Sequence, residues 1–159
     1  MDLYQWLLAF HVLAAASLIA ALVLFTVMVL STRGTDVPSK VARFWGLGRF
    51  GMVIVSIGTL GTLFFGIWLA IDAEAYQVWD GWVLAAIVLW AIASASGQRS
   101  GVPYQKAGER ARELLASGND APDAEIGALM RDQQAWILHW VTVVVTLVIL
   151  VLMIYKPGA

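Results

Sequence analysis

The chain has 159 residues, 60% of them hydrophobic and 13% charged, and a formal net charge of -1 at pH 7. Its mean hydropathy of +0.78 is too high for an ordinary soluble domain of this length, and the near-neutral charge offers no surface to a polyanion such as nucleic acid. The absence of cysteine excludes disulfides, thiolate metal sites and thiol catalysis together.

The opening Met1-Asp2-Leu3 lacks the basic stretch of a cleavable signal peptide, and the apolar run behind it is too long for one, so a retained first span is expected. Charge-free stretches run from Leu3 to Thr32, Phe50 to Ile71, Gly81 to Gln98 and Gln133 to Tyr155. A bilayer core about 30 Å thick asks for roughly 20 apolar residues per helix, so four spans are predicted, at about residues 4–31, 50–71, 80–98 and 133–155. The third is the shortest, about 27 Å at 1.5 Å per residue, and reaches across if Trp79 and Trp82 sit at its interface. Isolated strands could not satisfy their backbone groups in lipid, so the spans are helices. The expected fold is all-α, a transmembrane four-helix bundle forming one membrane domain over residues 1–159, with a short cytoplasmic helical hairpin as an extension.

Orientation follows from the basic residues. Arg33, Lys40, Arg43, Arg49, Arg99, Lys106, Arg110, Arg112 and Arg131 fall in or beside the first and third connections, and Lys156 alone falls on the other side. The second connection, Asp72 to Asp80, holds Glu74 and no Lys or Arg. The positive-inside rule therefore places loops 32–49 and 99–132 in the cytoplasm and both termini outside. The bacterial cytoplasmic membrane is the expected location.

Within the third connection a helix is predicted from Tyr104 to Ala116, stopped by Ser117-Gly118-Asn119. Helix four is expected to restart early, with Asp120 as its cap, Pro122 in its first turn and Asp123 and Glu125 at the positive end of its dipole. Ile126, Leu129 and Met130 form an apolar stripe that would pack on Leu114 and Leu115 as a stalk, although a plain connector is the favoured expectation. A faint match of Trp6-Leu7-Leu8-Ala9 to Trp82-Val83-Leu84-Ala85 carries little weight, because apolar composition alone produces such matches.

His11 and His139 are the only histidines, and both lie within predicted spans, where an ionisable side chain is expensive enough to suggest a function. His139, Thr142 and Thr146 share one face of helix four and form a polar stripe expected to hydrogen-bond to neighbouring helices. His11 shares a face with Ala14, Ala15 and Leu18, which leaves room for a helix or a flat ligand. Both imidazoles are candidate ligands of a b-type haem, His11 the better one. A difference in depth of about 10–15 Å, at 1.5 Å per residue, disfavours one haem shared by the two. In helix two, Gly58, Thr62 and Gly66 make a ladder of small residues suited to close helix packing, with a helix of the same chain or of a second copy. Asp72, Glu74 and Asp80 could attract a divalent cation, but carboxylates in a loop are more often solvated, and no metal is expected.

No Asp, Glu, Lys or Arg interrupts a span, so a pump or ion-coupled transporter is disfavoured. No phosphate-binding loop, nucleophile elbow or HExxH zinc motif occurs. The early His11 in LLAFHVLAA, the FFGIWLA that ends at Ala70, Pro103 and the terminal VLMIYKPGA together resemble an uncharacterised family of predicted bacterial integral membrane proteins with four spans. More distantly, a first-helix histidine of this kind is similar to those of copper-resistance protein D and the haem-binding membrane protoporphyrinogen oxidases. Those likenesses imply copper or haem handling at His11, whereas the four-span family implies no established activity. The expected role is a non-enzymatic accessory or assembly component of a membrane complex without a cofactor, with the lipid bilayer as partner and a second copy or another membrane protein as the candidate protein partner. A b-type haem protein using His11 is the first alternative and a small-solute transporter the weaker one.

Overall fold

The computed structural model describes residues 2–72 and 77–157. Five helices follow in order, α1 (Leu3–Thr32), α2 (Pro38–Asp72), α3 (Gly81–Ala116), α4 (Ala124–Met130) and α5 (Gln133–Tyr155), and no strand occurs among the described residues. Four segments are long and apolar enough to cross a membrane, namely α1, α2, α3 and Ala124–Tyr155, the last divided by a break at Arg131–Asp132. The 35 residues of α2 and the 36 of α3 extend about 52–54 Å at 1.5 Å per residue. A hydrocarbon core of about 30 Å cannot cover that length, so both helices project beyond it at the basic end.

The helices therefore exceed the charge-free stretches. Residues 38–49, expected as loop, are the first three turns of α2. Pro38 suits its first turn, where a missing N–H costs nothing, and the Ser39 amide donates to Oδ1 of Asp120 at 2.8 Å. Asp120 thus serves α2 and not the fourth helix, a correction that follows from where the turn after α3 lands. The role expected of Asp120 falls to Asp123, whose Oδ1 accepts from the Ile126 amide at 2.9 Å, while Asp132 caps α5 through the Ala135 amide at 2.7 Å. Likewise Tyr104–Ala116 is no separate helix, because α3 runs unbroken through Pro103. Charge marks what lipid tolerates, whereas a helix ends where its backbone bonding ends. That point is Ser117-Gly118, with Gly118 at φ +77° and the Asn119 amide returning to the Leu114 carbonyl at 2.9 Å.

Two antiparallel hairpins make the bundle. In the first, α1 lies against α2 with Ala14 and Leu18 opposite Gly58, Leu24 and Phe25 opposite Gly51, and Met28 opposite Gly48. In the second, Ser96 of α3 meets Thr142 of α5 at 2.9 Å between hydroxyls. The indole N–H of Trp90 ties the hairpins by donating to the Thr59 carbonyl at 3.2 Å. Near the far end, Ala70, Trp82 and Val83 form a small core with Leu152 and Met153 packed against it.

The projecting ends of α2 and α3 and the whole of α4 form a head with its own core: Val41, Ala107, Ala111, Ile126 and Met130, with Leu114 and Leu129 packed against it. The connector expected between helices three and four is thus a packed element. Its stripe meets Leu114 as expected, but Val41 and the alanines of α3 supply most of the opposing surface. Gly108 lies flush under the Trp45 ring, so any side chain there would collide with it. The Asp123 amide donates to the Asp36 carbonyl at 2.9 Å, fastening α4 to the turn between α1 and α2. Arg110 reaches Asp123 at 3.3 Å, Glu125 at 3.4 Å and Glu113 at 3.8 Å. The Asp123 carboxyl is held below the usual carboxylate range, first by the Ile126 amide; burial opposes this, and Arg110 lowers it further.

Candidate functional site

The polar residues of the spans are spent largely inside the bundle. Hydroxyl groups in lipid turn to their own helix, satisfying the O–H donor without a partner helix: Ser17 donates to Leu13, Thr26 to Leu22, Ser56 to Met52, and Thr62 to both Gly58 and Thr59. His139 is buried, and its Nε2 lies 3.1 Å from the Thr26 hydroxyl of α1. Thr142 faces Ser96 of α3, and Thr146, also buried, donates to the Thr142 carbonyl at 2.8 Å. The stripe therefore faces two different helices, α1 through its histidine and α3 through its threonine.

His11 stands elsewhere. Thr26 lies fifteen residues beyond it on α1, about 22 Å at 1.5 Å per residue, so the two imidazoles are further apart than the depth estimate from sequence and share no ligand position. The edge of the His11 ring points at α2. A Cβ added at Gly66 would stand 3.0 Å from Cε1, 3.3 Å from Nδ1 and 4.0 Å from Nε2. The Thr62 backbone is within hydrogen-bonding reach of the ring, yet Nδ1 is buried without a partner. The ladder of Gly58, Thr62 and Gly66 is what lets α1 come so close. A Cβ at Gly58 would lie 2.9 Å from the Leu18 nitrogen and 3.1 Å from the Ala14 oxygen, both backbone atoms. The open choice between a helix of the same chain and one of a second copy is thus answered for this face, which is occupied by α1.

Asp80 accepts from the Gln77 amide at 2.9 Å through Oδ2. Glu74 lies outside the described residues, as do Ala73, Ala75 and Tyr76. No group of three or more His, Cys, Asp or Glu converges to hold a metal ion among the described residues.

A cavity of about 70 Å³ at the basic end was not foreseen. It lies between α1, α2 and α3, lined by Phe25, Met28, Trp45, Met52, Gly101 and Tyr104 among others. Its walls come from residues as distant in the chain as Phe25 and Met130, and such separations leave no local pattern in a sequence. The one available hint is the stripe of Val41, Phe44, Trp45 and Gly48 at helical spacing, in a stretch that read as loop, continued by Met52 of the second span.

A sequence model of the family described as "Predicted integral membrane protein (DUF2269)" matches residues 5–157. No curated protein and no solved structure matches the chain.

Proposed function

We propose that this chain, which belongs to the DUF2269 family of predicted integral membrane proteins, is a non-enzymatic accessory or assembly component of a larger membrane complex in the bacterial cytoplasmic membrane. The observation that carries this reading is the head. Four spans need no soluble core to cross a bilayer, yet α2, α3 and α4 build one, with Ile126 and the alanines at 107 and 111 wholly buried. A rigid, charged platform fixed to a membrane anchor serves to hold another protein in register. The spans support the reading from the other side, because His139, Thr26, Ser96, Thr142 and Thr146 are bonded to one another or to backbone within the bundle.

The test is the mass of the tagged chain extracted from native membranes in a mild detergent, read by native mass spectrometry. A stoichiometric complex with a different membrane protein is expected. A chain that runs alone, or only with copies of itself, overturns the reading.

A second reading, b-type haem on His11, is favoured by the buried, unpartnered Nδ1. The surroundings are a poor fit. Both ring nitrogens flank the carbon that faces Gly66, and an iron about 2 Å from the Nδ1 side would have to push α2 away from the ring. A reduced-minus-oxidised spectrum of the haem-replete protein is expected to lack Soret and alpha bands. Such bands, lost in His11→Ala and kept in His139→Ala, would establish the haem reading instead.

A further inference from the structure

We propose that the cavity between α1, α2 and α3 holds one chain of an anionic phospholipid whose phosphate is gripped at the basic end by Arg112 and Arg49. The cavity is apolar on nearly every side, and at about 70 Å³ it admits a few methylene groups but no headgroup. That size selects a ligand with an apolar tail and a polar part outside.

Three features at the same place describe that polar part. Trp45 lines the cavity, and its indole Nε1 is a buried donor with no partner, so an acceptor oxygen beside it would satisfy a group that otherwise costs free energy. Arg112 holds its guanidinium carbon 6.0 Å from the centroid of the Trp45 ring. It stands one turn beyond Gly108 on the face of α3 that carries the cavity-lining Gly101 and Tyr104. Arg49 directly follows the cavity-lining Gly48 and is exposed on the flank of the same stripe.

Five of the acids of this end are engaged elsewhere. Asp120, Asp123 and Asp132 cap helices, and Glu113 and Glu125 reach Arg110. Arg110 makes all the ion pairs among the described residues, so neither Arg49 nor Arg112 has a carboxylate at that distance. Two uncompensated guanidiniums, one unsatisfied N–H and an apolar slot at the depth where α2 and α3 leave the hydrocarbon core match a phosphodiester with its acyl chain. A neutral lipid would leave the arginines unanswered. A free phosphate would leave the slot unfilled.

The experiment uses the full chain, stripped of lipid in detergent. It is offered equal amounts of phosphatidylglycerol and phosphatidylcholine with identical acyl chains, and bound lipid is counted by native mass spectrometry. One phosphatidylglycerol per chain is expected, preferred at least about ten-fold. Arg49→Gln with Arg112→Gln alters only exposed positions and is expected to bring the two lipids to near parity while some binding persists. Gly101→Leu places a side chain where nothing lies within 4 Å of its Cβ, so it fills the slot and is expected to remove tightly held lipid of either kind. Parity in the unaltered chain, wild-type retention by the Gly101→Leu chain, or displacement of phosphatidylglycerol by a phosphorus-free apolar molecule such as a quinone would each overturn the proposal.

Discussion

Two glycines of the bundle have opposite reasons to be small. At Gly58 a methyl group meets the backbone of α1, which cannot give way without the helices parting, whereas at Gly101 it meets open space. Gly58→Ala is therefore expected to cost about 1–3 kcal/mol, the range for overpacking. Gly101→Ala should gain about 0.5–1 kcal/mol from helix propensity. Thermal unfolding in detergent measures both, and equal effects would remove the distinction. The Thr26–His139 bond is tested by a double-mutant cycle with Thr26→Ala and His139→Ala, for which a coupling of about 0.6 kcal/mol is expected, the average for interhelical bonds in membrane bundles. A coupling of zero would mean that the 3.1 Å approach contributes nothing. Single residues were legible in the sequence as types and not as addresses. The ladder of Gly58, Thr62 and Gly66 announced close packing, because small side chains on one face have no other use, but nothing in it names α1.

At the scale of elements, α4 is seven residues long and could not persist alone. It is held by Ile126 and Met130 in the head core and by the Asp123 cap. Because the folded state depresses the Asp123 pKa, its contribution is complete above the unfolded value near about 3.9 and is lost as pH falls through the lower folded value. Amide exchange in α4 is expected to accelerate over that acid range. Asp123→Asn, which keeps a cap acceptor without the titration, should flatten the dependence, and an unchanged profile in that variant would assign the effect to another carboxylate. The four spans were legible because lipid imposes a simple rule on charge over some twenty residues. Helix ends were not, since the first turns of α2 and the last five of α3 carry Arg and Lys beyond the lipid while their backbone bonding continues. The head was half legible. The stripe of Ile126, Leu129 and Met130 was evident, but its partner Val41 lies some 85 residues away in a stretch that looked like loop.

For the molecule as a whole, the orientation expected from the positive-inside rule would put the head in the cytoplasm. The chain has no cysteine, so a single one introduced at Gln77 or Ser117, both exposed, reports its own side. An impermeant thiol reagent applied to intact cells is expected to label Gln77→Cys and to spare Ser117→Cys, and the reverse pattern would invert the molecule. Another consequence comes from the bond between Ser39 and Asp120, partners 81 positions apart. Translation proceeds at about 5–20 residues per second, so α2 emerges roughly 4–16 s before the residue that closes its first turn exists. The first hairpin must enter the membrane with an open end, and the turn synthesised between α3 and α4 completes an element made near the beginning. A ribosome stalled between the third span and Asp120 would leave three helices inserted and their head unsealed, a state in which a protease acting at the cytoplasmic face could tell an unfinished chain from a finished one.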